Sequence, residues 1–326
     1  MPDCRNTDGA AWGPAPSMRA MPHTHDLTGG LRRVGDQTDI LGESPIWDER
    51  AGCLYWVDIR RPAIRRLVPA TGQIDTWPMP DLVGSIALTD EGRLLVALPQ
   101  FVALFDTTSG SLESYAWPPT VIAGHRFNDG RCDRQGRFWL GSMHNLTRAP
   151  EGTLFRMDGP GELQPVRTGV CIPNSLAFSP DGRTMYFADS LQYALYAHDY
   201  DPVEGRMGEP RVLAKTQPPG FPDGSAVDEE GFVWNAEFNA WRVVRYSPQG
   251  RVDRVIELPV ERPTCCAFGG NDLRTLYITT ASQHMSAGEM AAQPLAGALL
   301  CLDVGVRGLP EPRFRFTPVA EATTAS

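Results

Sequence analysis

Four oxygen-bearing side chains, Glu43, Asn128, Asn174 and Asp223, occupy one phase of a repeat that runs the length of the chain. Asn128, Asn174 and Asp223 stand eight residues before Gly136, Gly182 and Gly231. Glu43 stands nine before Gly52, where the turn is one residue longer. The same count back from Gly92 lands on Gly84, and the sixth repeat, irregular here, offers Thr264 or Cys265. Residues in phase converge when repeats close into a ring. Two carboxylates brought together out of water repel each other unless a proton or a cation separates them. Carboxylates with asparagine carbonyls suit a hard divalent ion such as Ca2+, Mg2+ or Mn2+; Zn2+ or Fe2+ fits if the site stays open to water. Asn and Asp ahead of a strand also cap turns through local bonds. Four in phase favour one divalent cation over four separate caps.

Other chemistries are poorly supplied. Lys215 is the one lysine among thirty basic residues, so a Schiff base has almost no candidate. There is no Gly-x-Ser-x-Gly elbow and no glycine-rich phosphate loop before a helix. His23 and His25 stand in the N-terminal segment, away from the repeats. The seven cysteines are odd in number, lack Cys-x-x-Cys spacing, and read as buried thiols of a reducing compartment.

The elements that position the four residues follow from punctuation. The chain has 326 residues, of which 32 are glycine and 29 proline, and this leaves no room for long amphipathic helices. A short turn opening with Asp and usually closing with Gly recurs, each time before an apolar run of strand type. Its aspartates, at 48, 90, 133, 181, 228 and 272, are 42 to 48 residues apart. The sixth turn departs from the pattern, because Gly270 precedes Asp272. A unit of this length with four short strands is a propeller blade. The expected fold is therefore all-β: a six-bladed β-propeller of four-stranded blades with a central metal site. It spans 27–317, between tails at 1–26 and 318–326.

A net charge of −9 argues against nucleic acid as the main partner. No apolar run is long enough to span a membrane, and no apolar leader is readable, so a cytoplasmic location is expected.

Four segments, Leu41-Gly-Glu-Ser-Pro-Ile-Trp47, Arg126-Phe-Asn-Asp-Gly130, Ile172-Pro-Asn-Ser175 and Pro222-Asp-Gly-Ser225, resemble the signatures of the senescence-marker-protein/gluconolactonase family, which includes the regucalcin-like proteins and bacterial sugar lactonases. Cys265-Cys-Ala-Phe-Gly-Gly270 and Leu276-Tyr-Ile-Thr-Thr-Ala281 resemble its last blade. The resemblance implies one catalytic divalent metal (Ca, Zn, Mn, Mg or Fe(II)) held by Glu43, Asn174 and Asp223. It implies substrate contacts from Arg126 and Asn128, and hydrolysis of a sugar aldonolactone by a monomer or weak homodimer. Asp223 is the expected general base, beside a metal that polarises the carbonyl and activates water.

Two departures bear on the pocket. Gly141-Ser-Met-His-Asn145 lacks the acidic substrate contact that some relatives carry next, so His144 or Asn145 takes its place as candidate. Trp241 stands where a glycine is common, and either gives the sugar a stacking face or packs. His125 is a candidate for the pocket edge. Asp189 either supports the site or caps the next turn. The competing functions are a metal-dependent esterase or phosphotriesterase, and a non-enzymatic calcium-binding propeller.

Overall fold

The computed structural model describes residues 30–316 as six mainly antiparallel sheets in chain order. The expected tails, residues 27–29 and 317, and Cys4, His23 and His25 lie outside the described residues. Each turn forms as the repeat predicts. Asp48, Asp133, Asp181, Asp228 and Asp272 each accept a hydrogen bond from the backbone N–H two residues on. The side chain thus closes the turn itself. The turn glycines at 52, 92, 136, 182, 231 and 270 take φ between 62° and 90°, the left-handed region that a Cβ disfavours.

Blade one is made of Gly42–Asp48, Cys53–Asp58, Ala63–Val68 and Gln73–Pro78, ordered from axis to rim. The innermost strands of the next five blades are Ile86–Leu88, His125–Cys132, Pro173–Phe178, Phe221–Val227 and Pro263–Gly269. The six-bladed propeller of four-stranded blades is as expected.

A blade buries both faces. In Cys53–Asp58, Cys53, Tyr55 and Val57 pack toward blade two, while Leu54 and Trp56 pack toward blade six. This is the two-residue alternation of a strand, with apolar residues on both sides. Every pair of neighbouring blades encloses one such slab of core. No blade is stable without its neighbours, so closure of the ring is an energetic requirement.

Closure uses the N-terminal end. Arg32–Val34 pairs with Leu299–Asp303 and becomes the outermost strand of blade six. Blade two gains an edge strand, Gly161–Glu162, parallel to Leu112–Trp117. The C-terminal segment then crosses the end of the channel where the Asp–Gly turns lie. Gly308 bridges to Asp228, Glu311 pairs with Arg131 at 2.8 Å, and Phe314 bridges to Thr89. That end is therefore covered, and the four in-phase residues face the opposite mouth. Among the described residues no helix is long and apolar enough to cross a membrane. All six described cysteines are buried and unbridged, as expected.

Candidate active site

The innermost strands that carry the four in-phase residues each break their pairing register within their first few residues, whereas Ile86–Leu88 of the second blade pairs without a shift. The shifts fall between Glu43 and Ile46, Phe127 and Gly130, Asn174 and Ala177, and Pro222 and Ser225. A bulge re-aims side chains out of the sheet's alternation. Ser44 and Ser175, each next to an in-phase residue, sit at φ of 50° and 60°, uncommon for residues with a Cβ. The strain accompanies the turning of Glu43 and Asn174 toward the axis.

Glu43, Arg126, Asn128, Asn174 and Asp223 line one cavity of about 480 Å3, open mouth included. Arg126, Asn128, Asn174 and Asp223 are buried, while Glu43 keeps an edge open to the cavity. The second blade contributes Gly84 at this level because nothing larger fits. A Cβ there would lie 2.3 Å from the Phe127 carbonyl oxygen, a backbone atom that cannot swing aside. Gly84→Ala is expected to destabilise the fold by roughly 1–3 kcal/mol. An unchanged denaturation midpoint would show that the two blades separate freely.

A hydrogen-bond chain orients the amides. Arg126 donates from Nη1 to Asn128 Oδ1 at 2.6 Å and from Nε to Asn145 Oδ1 at 3.0 Å. Asn128 Nδ2 donates to Pro173 O at 2.9 Å and Asn174 Oδ1 at 2.8 Å. Asn174 Nδ2 donates to Ser190 Oγ at 2.8 Å, which leaves its carbonyl oxygen on the cavity side. Asn128 thus spends both ends of its amide holding Arg126 and Asn174.

The electrostatics are unbalanced. Burial, then the nearby Asp129, raises the Glu43 carboxyl to about 8. Burial, then Glu43 and Asp129, holds Asp223 well above the usual carboxylate range. Burial, then Arg60, lowers Arg126 to about 9. Two carboxyls favour their neutral forms here because burial removes the water that would solvate their charged forms and the carboxyls nearby repel them, more than Arg126 offsets; a stronger opposite charge between them would reverse this. Two carboxylates plus the Asn174 oxygen form an all-oxygen donor set that fits a divalent cation, which would supply that charge. Among the described residues no three or more His, Cys, Asp or Glu side chains are grouped to hold a metal ion.

Other candidates fall into place. Asp189 is buried and accepts from the N–H groups of Cys171 and Ile172, both at 3.0 Å, just before the Asn174 strand. It makes no capping bond to the backbone of the turn that follows, and accepts there only from Gln192 Nε2 at 3.4 Å. Asp58 holds Ile40 and Leu41 ahead of Glu43 in the same way.

His144 is turned away. Its Nδ1 accepts from the N–H groups of Leu146 and Thr147, and its ring packs edge-on against His125. Asn145, rather than His144 or His125, lines the cavity. Trp241 is 36% exposed and outside the cavity wall; the aromatic faces there are Phe221 and Phe238, stacked at 5.1 Å. In the sixth blade, Thr264 donates to Gly42 O, and the Cys265 thiol is buried and held well above its usual value.

Sequence reasoning missed Asp129, Arg60, Arg148 and Gln283. Asp129 follows Asn128 directly, and counting one residue per repeat passed over it. The other three come from connecting loops that share no phase.

The SMP-30/gluconolactonase/LRE-like region matches residues 41–282. The chain belongs to that family. It is 39% identical to the 6-deoxy-6-sulfogluconolactonase of Pseudomonas putida, over 87% of this chain and 98% of that one. It is 36% identical to the L-arabinolactonase of Azospirillum brasilense, over 87% and 95% of the two chains. The crystal structure of a calcium-binding protein, regucalcin, from Agrobacterium tumefaciens strain C58 superposes with a TM-score of 0.84 at 30% identity, covering 88% of this chain and 97% of that one.

Proposed function

We propose that the chain hydrolyses a sugar aldonolactone, a pentono- or hexonolactone, to the aldonic acid. The carrying observation is the pair of buried carboxyls, Glu43 and Asp223, beside Arg126 at the one uncovered mouth of the channel. Membership in a family whose relatives are named sugar lactonases supports it. Glu43, Asn174 and Asp223 would hold a divalent cation, and the chemistry it would supply there is Lewis-acid polarisation of the carbonyl and a lowered pKa of water.

Asp223 takes a proton from the attacking water and returns it to the ring oxygen as the bond from the carbonyl carbon to that oxygen breaks. Among the described residues Arg126 keeps Nη2 free of hydrogen bonds while Nε and Nη1 are held, so it donates to a substrate oxygen from a fixed position. Phe221 and Phe238 present an apolar wall to the sugar's C–H face. Gln283 Oε1, buried without a partner, accepts from a hydroxyl.

The test is a pH-indicator assay of chelator-stripped protein on arabinono-, xylono-, galactono- and gluconolactone. Ca2+, Mg2+, Mn2+, Zn2+ or Fe2+ is added back in turn. Turnover restored by a cation is the expected result. Turnover at the spontaneous rate with every cation would move the protein to another ester or to a binding role. Arg126→Ala is expected to raise KM about tenfold or more on the lactone that is turned over, with a smaller change in kcat. A pure loss of kcat would place Arg126 in transition-state stabilisation instead.

A further inference from the structure

Three guanidinium groups, those of Arg60, Arg126 and Arg148, line the same cavity, and none is in an ion pair among the described residues. Carboxylates are not scarce in a chain of net charge −9, and buried arginines elsewhere are matched, as Arg65 is by Asp39 at 2.8 Å and Arg245 by Asp228 at 2.8 Å. Arg60 lies in a loop pinned by Asp58, whose Oδ1 accepts from the N–H groups of Arg60 and Arg61. Its own guanidinium makes no hydrogen bond, and neither does that of Arg148 on the exposed loop across the mouth.

The three charges feel one another. After burial, Arg60 is the next cause lowering Arg126, Arg148 also lowers it, and Arg148 lowers Arg60. His284 beside them is lowered by burial, then Arg148 and Arg60. A divalent cation on Glu43 and Asp223 would cancel those two carboxylates and leave three positive charges facing the ligand. Arg126 has Glu43 and Asp223 near it, but Arg60 and Arg148 have no ion-pair partner among the described residues, and guanidinium groups in that state favour an oxyanion, which accepts paired N–H bonds from them.

We propose that the preferred substrate is an aldonolactone carrying an oxyanion, a sulfonate, phosphate or carboxylate, at the end of the sugar remote from the lactone carbonyl, held by Arg60 and Arg148. The inference rests on the lactonase reading. The carbonyl must reach Asp223 on the cavity floor, so the far end of the molecule points back to the rim. In a hexonolactone that end is the terminal carbon, whose substituent extends furthest from the carbonyl.

The experiment compares kcat/KM on gluconolactone with that on its 6-sulfo-6-deoxy and 6-phospho analogues and on the lactone of a hexaric acid. The expected result is a preference of about tenfold or more for at least one charged lactone, which also identifies the anion. In Arg60→Gln, Arg148→Gln and the double variant the ratio of charged to neutral kcat/KM falls, about tenfold per guanidinium. Arg148→Glu reverses it. Calorimetry without turnover gives an independent readout: 6-phosphogluconate should bind more tightly than gluconate to the wild type and equally to the double variant. Rapid hydrolysis of the neutral lactone with no preference for any charged one overturns this inference alone. So does a preference that survives the double variant. Hydrolysis of none of these lactones overturns the lactonase reading, and this inference with it.

Discussion

Asp223→Asn is expected to lower kcat on a sugar lactone by about 10²–10⁴-fold, the range supplied by a positioned general base, while the propeller stays folded. Asparagine has the same shape but takes no proton from water. The position of residue 223 does not depend on the carboxylate. Its backbone oxygen accepts from Ser175 Oγ and from Asn235 Nδ2, so both bonds survive the substitution. The carboxylate is also an expected metal ligand, and cation affinity should fall in the same variant. Removing one of two repelling buried carboxyls should raise the thermal stability of the metal-free protein at neutral pH. Activity lost and stability gained is the signature of a group kept for chemistry. Near-normal kcat with saturating lactone and cation would end the assignment of Asp223 as base.

A second large effect concerns pH. The folded Glu43 carboxyl titrates near 8, against an ordinary value of 4.5. The native state therefore holds a proton that the unfolded state has released over this interval, and stability falls as pH rises. The advantage is complete below about 4.5 and lost through about 8. Asp223, also raised, acts in the same direction. Carboxyls held low, such as Asp75 and Asp181, act in the opposite sense and at lower pH, so comparison with Glu43→Gln isolates the effect. Without metal, the Tm of Glu43→Gln should match wild type near pH 4.5 and exceed it increasingly up to about pH 8. A saturating divalent cation should raise the wild-type Tm at pH 8 and raise that of the variant much less. A pH-independent difference between the two proteins would show that Glu43 is not held in its neutral form. A cation effect equal in both would remove Glu43 from the ligand set.

Much of the site was legible because the bulge that presents each residue lies at a constant distance from a turn that also repeats. Glu43, Asn128, Asn174 and Asp223 could be counted back from glycines whose positive φ is a local property. The glycine found by the same count at position 84 carries no chemistry, but it fills the place where the Phe127 carbonyl crosses. His144 was misplaced for a reason equally local. A histidine two residues before Leu146 can close its own turn, and Nδ1 does so, leaving the cavity to its neighbour Asn145. Trp241 was read from what stands at that position in relatives, as a stacking face or as packing, and its ring lies outside the cavity wall.

By itself the sequence determined the blade count, the four short strands of a blade and the in-phase residues, because turn chemistry, strand-type apolar runs and a fixed repeat act over a few residues at a time. Only the tertiary structure decided that Arg32–Val34 completes the last blade, that residues 308–314 cover one end of the channel, and that Asp129 joins the carboxyls. It also brought Arg60, Arg148, Gln283, Phe221 and Phe238 around one mouth. These positions share no spacing, since the loops that carry most of them differ in length. They meet because six slabs of core force the blades into a ring, and the ring directs the loops of separate blades toward one axis.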